Sequence, residues 1–304
     1  MMISASRLCK VATRRPQNGA MPHAHPPPGF DHGLGFAHDL RRLKSLQGLQ
    51  SLHNPHDGRL SRRRTLGVLG GLGAALVGAP GAAFGQPATC PVVPDETAGP
   101  FPANGAGWGR GASINALVLA GVQRSDIRPN FAGVSGAAGG VPMALTLQLV
   151  NAGAACGALS GLLVYLWQCD REGRYSMYSS GVAQQNYLRG VQTSGADGSV
   201  RFTTVLPGCY GGRVPHLHFE VYRSADAAGV PAQRIKTSQI ALPIDTCMAV
   251  YRQAEGYADS VRAMGRISLD RDTVFRDGVA LQMASLSGSV QAGFTAGLTV
   301  GLKA

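Results

Sequence analysis

From residue 141 onward the apolar positions come in short runs, each bounded by glycine, proline, asparagine or aspartate. The stretches 141–150, 162–168, 200–205, 216–222 and 235–242 and the region 280–302 are too short or too interrupted for buried helices, and they read as strands. Ala196-Asp197-Gly198 is predicted to form a tight hairpin turn joining 188–192 to 200–204. Helical periodicity is best over 248–264. The expected class is all-β, a β-sandwich with long functional loops and little helix. Heptads, internal repeats, a phosphate-binding loop and a dinucleotide fingerprint are all missing from the pattern.

The first 89 residues follow a different pattern. Ser61-Arg62-Arg63-Arg64-Thr65-Leu66 precedes a weakly apolar run, 66–85, that contains seven glycines and Pro80, with small residues at 83–88. A cationic stretch, a short apolar stretch and a small-residue cleavage region form the order of a signal peptide, and the paired arginines resemble a twin-arginine export signal. So much glycine makes a poor membrane anchor, because a spanning helix wants about 20 strongly apolar residues. Residues 1–60, rich in Pro, His and Arg, are expected to be a disordered basic extension. The expected organisation is therefore an extension at 1–60, an export signal at 61–89 and one domain at 90–304, with a periplasmic or extracellular destination.

Charge follows this division. The chain has 304 residues and a formal net charge of +11. Residues 1–89 hold 11 Lys and Arg against 3 Asp, a net of +8, and 90–304 hold 17 against 14, a net of +3. The basicity belongs to the leader, so no nucleic-acid partner and no stable membrane anchor are expected of the domain. Five of the six cysteines, Cys90, Cys156, Cys169, Cys209 and Cys247, lie in the domain. An odd number allows at most two internal disulfides, and the lack of a CxxC excludes a zinc ribbon or thioredoxin-like motif.

Six of the eight histidines, His23, His25, His32, His38, His53 and His56, sit in the extension, where a basic tail explains them better than a metal site. The other two form His216-Leu217-His218. On a strand these two imidazoles share a face and can reach one ion, or they can simply pack there. A domain with no third histidine must draw any further ligands from oxygen or sulfur.

Around this tripeptide the sequence carries an ordered series of motifs. It runs Val164-Tyr165-Leu166-Trp167-Gln168, Gly173-Arg174-Tyr175-Ser176, Leu188-Arg189-Gly190, Asp197-Gly198, Phe202-Thr203-Thr204, Pro207-Gly208-Cys209-Tyr210 and Arg213-Val214-Pro215-His216-Leu217-His218-Phe219. Glu96-Thr97-Ala98-Gly99-Pro100-Phe101 precedes the series and Thr237-Ser238-Gln239 follows it. The series resembles the catalytic domain of the intradiol ring-cleavage dioxygenases, the family of protocatechuate 3,4-dioxygenase and catechol 1,2-dioxygenase, over roughly 93–280.

The resemblance implies that Tyr175, Tyr210, His216 and His218 are the ligands of a non-haem Fe(III), with a catechol-type aromatic diol and O2 as substrates and a cis,cis-muconate-type diacid as product. It implies that Tyr210 leaves the metal when substrate binds, that Arg213 stabilises anionic charge developing on the ring, and that Gln239 supports the site from behind. The charges agree, since two phenolates and a hydroxide neutralise a 3+ ion and a catechol dianion can replace the hydroxide and one phenolate.

Only Gly211-Gly212-Arg213-Val214-Pro215 separates Tyr210 from His216, shorter than in the well-known catechol enzymes, and their helical dimerisation region is missing. An open pocket for a bulkier or substituted catechol is expected. Substrate identity and homo-oligomeric state are left open. Two other readings compete. One is a secreted β-sandwich binding module for aromatic or carbohydrate ligands without catalysis. The other is a ferrous centre of two histidines and a carboxylate, Glu220 or Asp245.

Overall fold

A computed structural model describes residues 90–106, 114–153, 155–224, 226 and 228–303. The expected extension at 1–60 and export signal at 61–89 lie outside the described residues. Among the described residues, eight strands form two four-stranded sheets. In chain order they are β1 (Pro142–Asn151), β2 (Leu163–Trp167), β3 (Arg189–Thr193), β4 (Ser199–Val205), β5 (His216–Tyr222), β6 (Arg234–Ala241), β7 (Ser285–Ser289) and β8 (Gly293–Leu302). The first sheet runs β4-β1-β8-β7 and the second β3-β2-β5-β6. This is the expected all-β sandwich.

Strand periodicity explains how the sheets pack. In β1, Met143, Leu145, Leu147 and Leu149 are buried and project to one side. They meet Val164 and Leu166 of β2, and Leu217, Phe219 and Val221 of β5, in one apolar core. Slipping β5 by one residue would turn its three core side chains outward. At roughly 1.5–3 kcal/mol for each large apolar side chain, that loss rivals the whole stability of a typical domain, about 5–15 kcal/mol. The register is therefore fixed, and with it the outward face of β5 that carries His216, His218 and Glu220.

Two sequence expectations need correction. The turn at 196–198 is tight, with Gly195 N–H donating to the Ser199 carbonyl at 3.0 Å and Gly198 at φ +75°. Its flanking strands do not form a hairpin, because β3 pairs with β2 and β4 pairs with β1 in the other sheet. The turn is a corner between sheets, held down where Leu149 N–H donates to the Gly198 carbonyl at 2.9 Å. The single helix expected over 248–264 is two, α1 (Ile244–Gln253) and α2 (Ala258–Met264). They are separated by Gly256 at φ +86°, which lies against the Arg171 side chain and leaves no room for a Cβ.

An extended arm, 91–104, crosses from the first sheet to the outer face of the second. Val93 N–H donates to the Gly301 carbonyl of β8 at 3.0 Å, and Glu96 N–H donates to the Thr237 carbonyl of β6 at 2.8 Å. The arm is tied at its start by a disulfide between Cys90 and Cys156. Cys169, Cys209 and Cys247 are free and buried. Among the described residues no helix is long and apolar enough to cross a membrane.

The bridge closes a loop with a sequence separation of 66. Cys156→Ser is expected to lower stability by about 2–4 kcal/mol, chiefly by releasing the unfolded chain. Denaturant melts of the variant and of wild type with and without reductant measure it, and wild type under reducing conditions should match the variant.

Candidate metal centre

The outer face of the second sheet is assembled by register. His218 stands opposite Trp167 of β2 on one side and Gln239 of β6 on the other. Trp167 stacks on His218 with centroids 5.1 Å apart and planes at 8°. From the arm, Gly99 lies against the imidazole edge, and a Cβ there would stand 3.1 Å from Cε1. His218 is thus held on its face by Trp167 and at its edge by the arm.

The loop between β2 and β3 brings Tyr175 to this face. Asp170 organises the turn, its Oδ1 accepting from the N–H groups of Glu172 and Arg174 at 3.0 and 2.9 Å, and its Oδ2 from the Tyr187 hydroxyl at 3.0 Å. The loop before β5 brings Tyr210. The two loops meet backbone to backbone at their glycines. A Cβ on Gly173 would stand 2.8 Å from the Cys209 carbonyl oxygen, and one on Gly208 would overlap the Arg171 carbonyl. Gly208 N–H donates to the Asp170 carbonyl at 3.0 Å. This close seam places the Tyr175 and Tyr210 rings edge to face, with centroids 5.2 Å apart. Phe101 of the arm touches both, at 4.8 and 5.5 Å.

Tyr175 Oη lies 3.1 Å from His218 Nε2, which in turn lies 3.2 Å from His216 Nε2. The Nδ1–H of His216 donates to the Val214 carbonyl at 2.6 Å, which leaves its Nε2 as a lone-pair donor. His218 Nδ1 is buried with no partner among the described residues. A buried imidazole ordinarily satisfies both nitrogens. Here one is orphaned and the other crowds a second lone pair and a phenol oxygen. Bonds of about 2.0–2.2 Å to one cation would bring N and O ligands to separations of this size.

Electrostatics agree. Burial, with the neighbouring Arg213 charge, pushes His216 well below its usual range, and burial together with His216 and Arg213 does the same to His218. Burial pushes the Tyr175 phenol well above its usual range, though Arg213 and Arg189 pull the other way. Without a bound cation these side chains are neutral, and a trivalent ion would reverse that for the phenol.

Tyr175 is 1% exposed, whereas Tyr210 is only half-buried. Beyond it Gly211 and Gly212 have φ of +51° and +78°, and a Cβ on Gly211 would meet open space. The short loop is therefore open, as its glycines suggest. Arg213 is 6% exposed and no surface charge. Its Nη2 donates to Gln239 Oε1 at 3.0 Å, and Gln239 Nε2 donates to the Thr97 carbonyl at 2.9 Å. All six residues singled out in the sequence thus lie on this face or against it.

Glu220 is not part of the cluster. Its carboxylate accepts from Asn104 Nδ2, the Tyr222 hydroxyl and Arg234 Nη1 at 2.6–3.0 Å, fastening the arm to the sheet. Asp245 lies in the first turn of α1. Among the described residues no group of three or more His, Cys, Asp or Glu side chains is arranged to hold a metal, so the carboxylate reading has no support.

Sequence reasoning gave no role to Arg189, Asp170 or Asp272. Arg189 is fully buried, and its three nitrogens donate to the Ser176 hydroxyl and carbonyl, the Phe101 and Pro102 carbonyls and the Tyr165 hydroxyl at 2.9–3.2 Å. It thereby clamps the Tyr175 loop to the arm. Its flanking residue Leu188 has φ +56°, a costly backbone for a non-glycine that the clamp sustains. The available signals were its place in the Leu188-Arg189-Gly190 motif and a charge within a strand pattern.

The seam between the loops gives a graded expectation. Gly208→Ala should cost more than about 2 kcal/mol, because backbone must move. Gly211→Ala should cost only about 1 kcal/mol, the left-handed penalty alone. Paired denaturant melts measure the difference, and equal costs would show that the seam does not constrain the loops.

Comparisons with known proteins bear on the same face. No curated protein matches the chain. The family model described as Dioxygenase matches residues 122–242. An intradiol ring-cleavage dioxygenase from Tetranychus urticae superposes with a TM-score of 0.53 at 22% identity, covering 70% of this chain and 95% of its own. A crystal structure of a second dioxygenase gives 0.52 at 20% identity, covering 70% and 94%. The dioxygenase domain of a carbohydrate-binding fusion protein from Streptomyces sp. SirexAA-E gives 0.44 at 22%, covering 70% and 98%. The segment that carries Tyr175, Tyr210, His216 and His218 thus lies within the match to the dioxygenase family model, and the fold is that of the intradiol ring-cleavage dioxygenase on which the chain superposes.

Proposed function

We propose that the protein is a non-haem Fe(III) intradiol dioxygenase that inserts both atoms of O2 between the two hydroxylated carbons of a catechol-type aromatic, giving a cis,cis-muconate-type diacid. The observation that carries this reading is the convergence of Tyr175 Oη with His218 Nε2 at 3.1 Å and of His218 Nε2 with His216 Nε2 at 3.2 Å. A binding module without catalysis has no use for three buried donor atoms so close together.

Tyr175, Tyr210, His216 and His218 would hold the ion. When bound, ferric iron supplies Lewis acidity and a path for electrons between the aromatic ring and O2. The protein's own groups do the rest. Tyr210, half-buried beside the open Gly211, is the ligand that would be free to turn toward an incoming diol and take one of its protons. Tyr175, enclosed by Trp167 and Phe101 in a second apolar cluster, stays in place. The guanidinium groups of Arg213 and Arg189 favour a doubly deprotonated catechol and stabilise negative charge as it develops on the ring. Phe101, whose ring packs against both tyrosine rings, covers them from the arm.

The open side at Gly211 supports a bulkier or substituted catechol. The Cys90–Cys156 disulfide supports an oxidising compartment, in keeping with the export signal expected at 61–89.

Ferric-loaded protein is expected to be red-brown through tyrosinate charge transfer, with a broad visible band that shifts on adding catechol. Incubation with a catechol panel and 18O2 should give a ring-opened diacid carrying two labelled oxygens by mass spectrometry. Tyr210→Phe should keep iron on the other three donors and lower kcat by about 100-fold or more. A colourless protein at full iron occupancy would sink the reading.

A further inference from the structure

We propose that Asp272 is a positioning residue for the reaction, gripping the Arg213 guanidinium by its Nε edge so that its Nη atoms stay directed at the site. The inference rests on the dioxygenase reading above and extends it to a residue outside the matched segment 122–242.

Both Asp272 oxygens accept from Arg213 Nε, at 3.0 and 2.9 Å. An arginine and a carboxylate commonly pair fork to fork, which engages the Nη atoms. Here the carboxylate takes the side of the guanidinium and leaves the Nη atoms to others, Nη2 donating to Gln239. The grip is itself immobile. Asp272 Oδ2 accepts from Val214 N–H at 2.8 Å, and Oδ1 from the N–H groups of Val274 and Phe275 at 2.9 and 3.2 Å. One oxygen thus joins the arginine side chain to the backbone two residues before His216.

At its other end the guanidinium is held by Gln239, which is anchored on the Thr97 carbonyl and stands opposite His218 in the sheet. The Phe275 ring packs 5.6 Å from the Arg213 guanidinium and 6.4 Å from the His216 ring, so the same segment backs both. A residue that merely capped the turn at Phe275–Asp277 would not need two oxygens on one arginine nitrogen. A residue that merely cancelled charge would not need to leave Nη2 for Gln239.

Asp272→Asn keeps the shape and an acceptor for the backbone N–H groups, but loses the charge and the two-oxygen grip. In the ferric-loaded holoenzyme this variant should retain iron and its visible band, and anaerobic titration should give a catechol Kd within about threefold of wild type. Its kcat should fall about 10-fold to 100-fold, the loss expected when a charge-stabilising group is misplaced. The effect should vanish when Arg213 is already gone, so Arg213→Gln and Arg213→Gln/Asp272→Asn should share one kcat. The second pair removes charge from both partners and decides the matter even if Asp272→Asn alone does not fold.

A folded, iron-loaded Asp272→Asn with wild-type kcat overturns the proposal. So does a further tenfold loss on the Arg213→Gln background. A wild-type protein whose band ignores catechol overturns the dioxygenase reading instead, and that control is read first.

Discussion

In β5 all seven residues are buried, so a two-residue period has to satisfy two unlike surroundings at once. Leu217, Phe219 and Val221 answer to the sandwich core, and His216, His218, Glu220 and Tyr222 to a polar layer beneath the arm. The apolar half fixes the register, and the polar half inherits its place. The two imidazoles are brought together at no separate conformational cost, since packing the core already orders them.

The polar layer has an unusual balance of charge. Arg189 is buried with only hydroxyl and carbonyl acceptors, and Arg213 is buried with one carboxylate. Burial alone would raise Asp272, but the Arg213 guanidinium and the backbone N–H groups outweigh it and hold its carboxyl below the usual range. A depressed carboxylate stabilises the fold at neutral pH and loses that contribution as the solution is acidified through the carboxylate range. One guanidinium, that of Arg189, is left over, and its charge is felt at Tyr175 and His218. The surplus positive charge suits anionic ligands and anionic substrates, which is the setting phenolates and a diol dianion require.

Much of this was legible in the residues. Short apolar runs foretold the strands, because periodicity and length are local properties. The positions of Tyr175, Tyr210, His216 and His218 followed from ordered motifs, and glycines at 173 and 208 turn out to be what lets two backbones touch. What the sequence hid was long-range. The 196–198 turn looks like a hairpin because its local chemistry is that of a turn, while strand partners are chosen by the sheets. Asp272 sits 59 residues from Arg213, and nothing in its own neighbourhood marks it as that residue's partner. The break between the two helices at Gly256 depends on the Arg171 side chain far upstream.

The cysteines carry a last consequence, about the order of events. Cys90 and Cys156 are partly accessible, whereas Cys169, Cys209 and Cys247 are packed inside, where burial raises all three thiols and takes Cys209 and Cys247 to about 12. Only the thiolate attacks a disulfide. Among the described residues, a chain that folds before it meets an oxidant therefore offers one pair of thiols for bridging, and the choice of partner is made by the fold. A chain oxidised while still open offers Cys169, Cys209 and Cys247 as well, and most of the added pairings would tie core segments where no native sheet can form. The disulfide pattern thus records whether folding preceded oxidation.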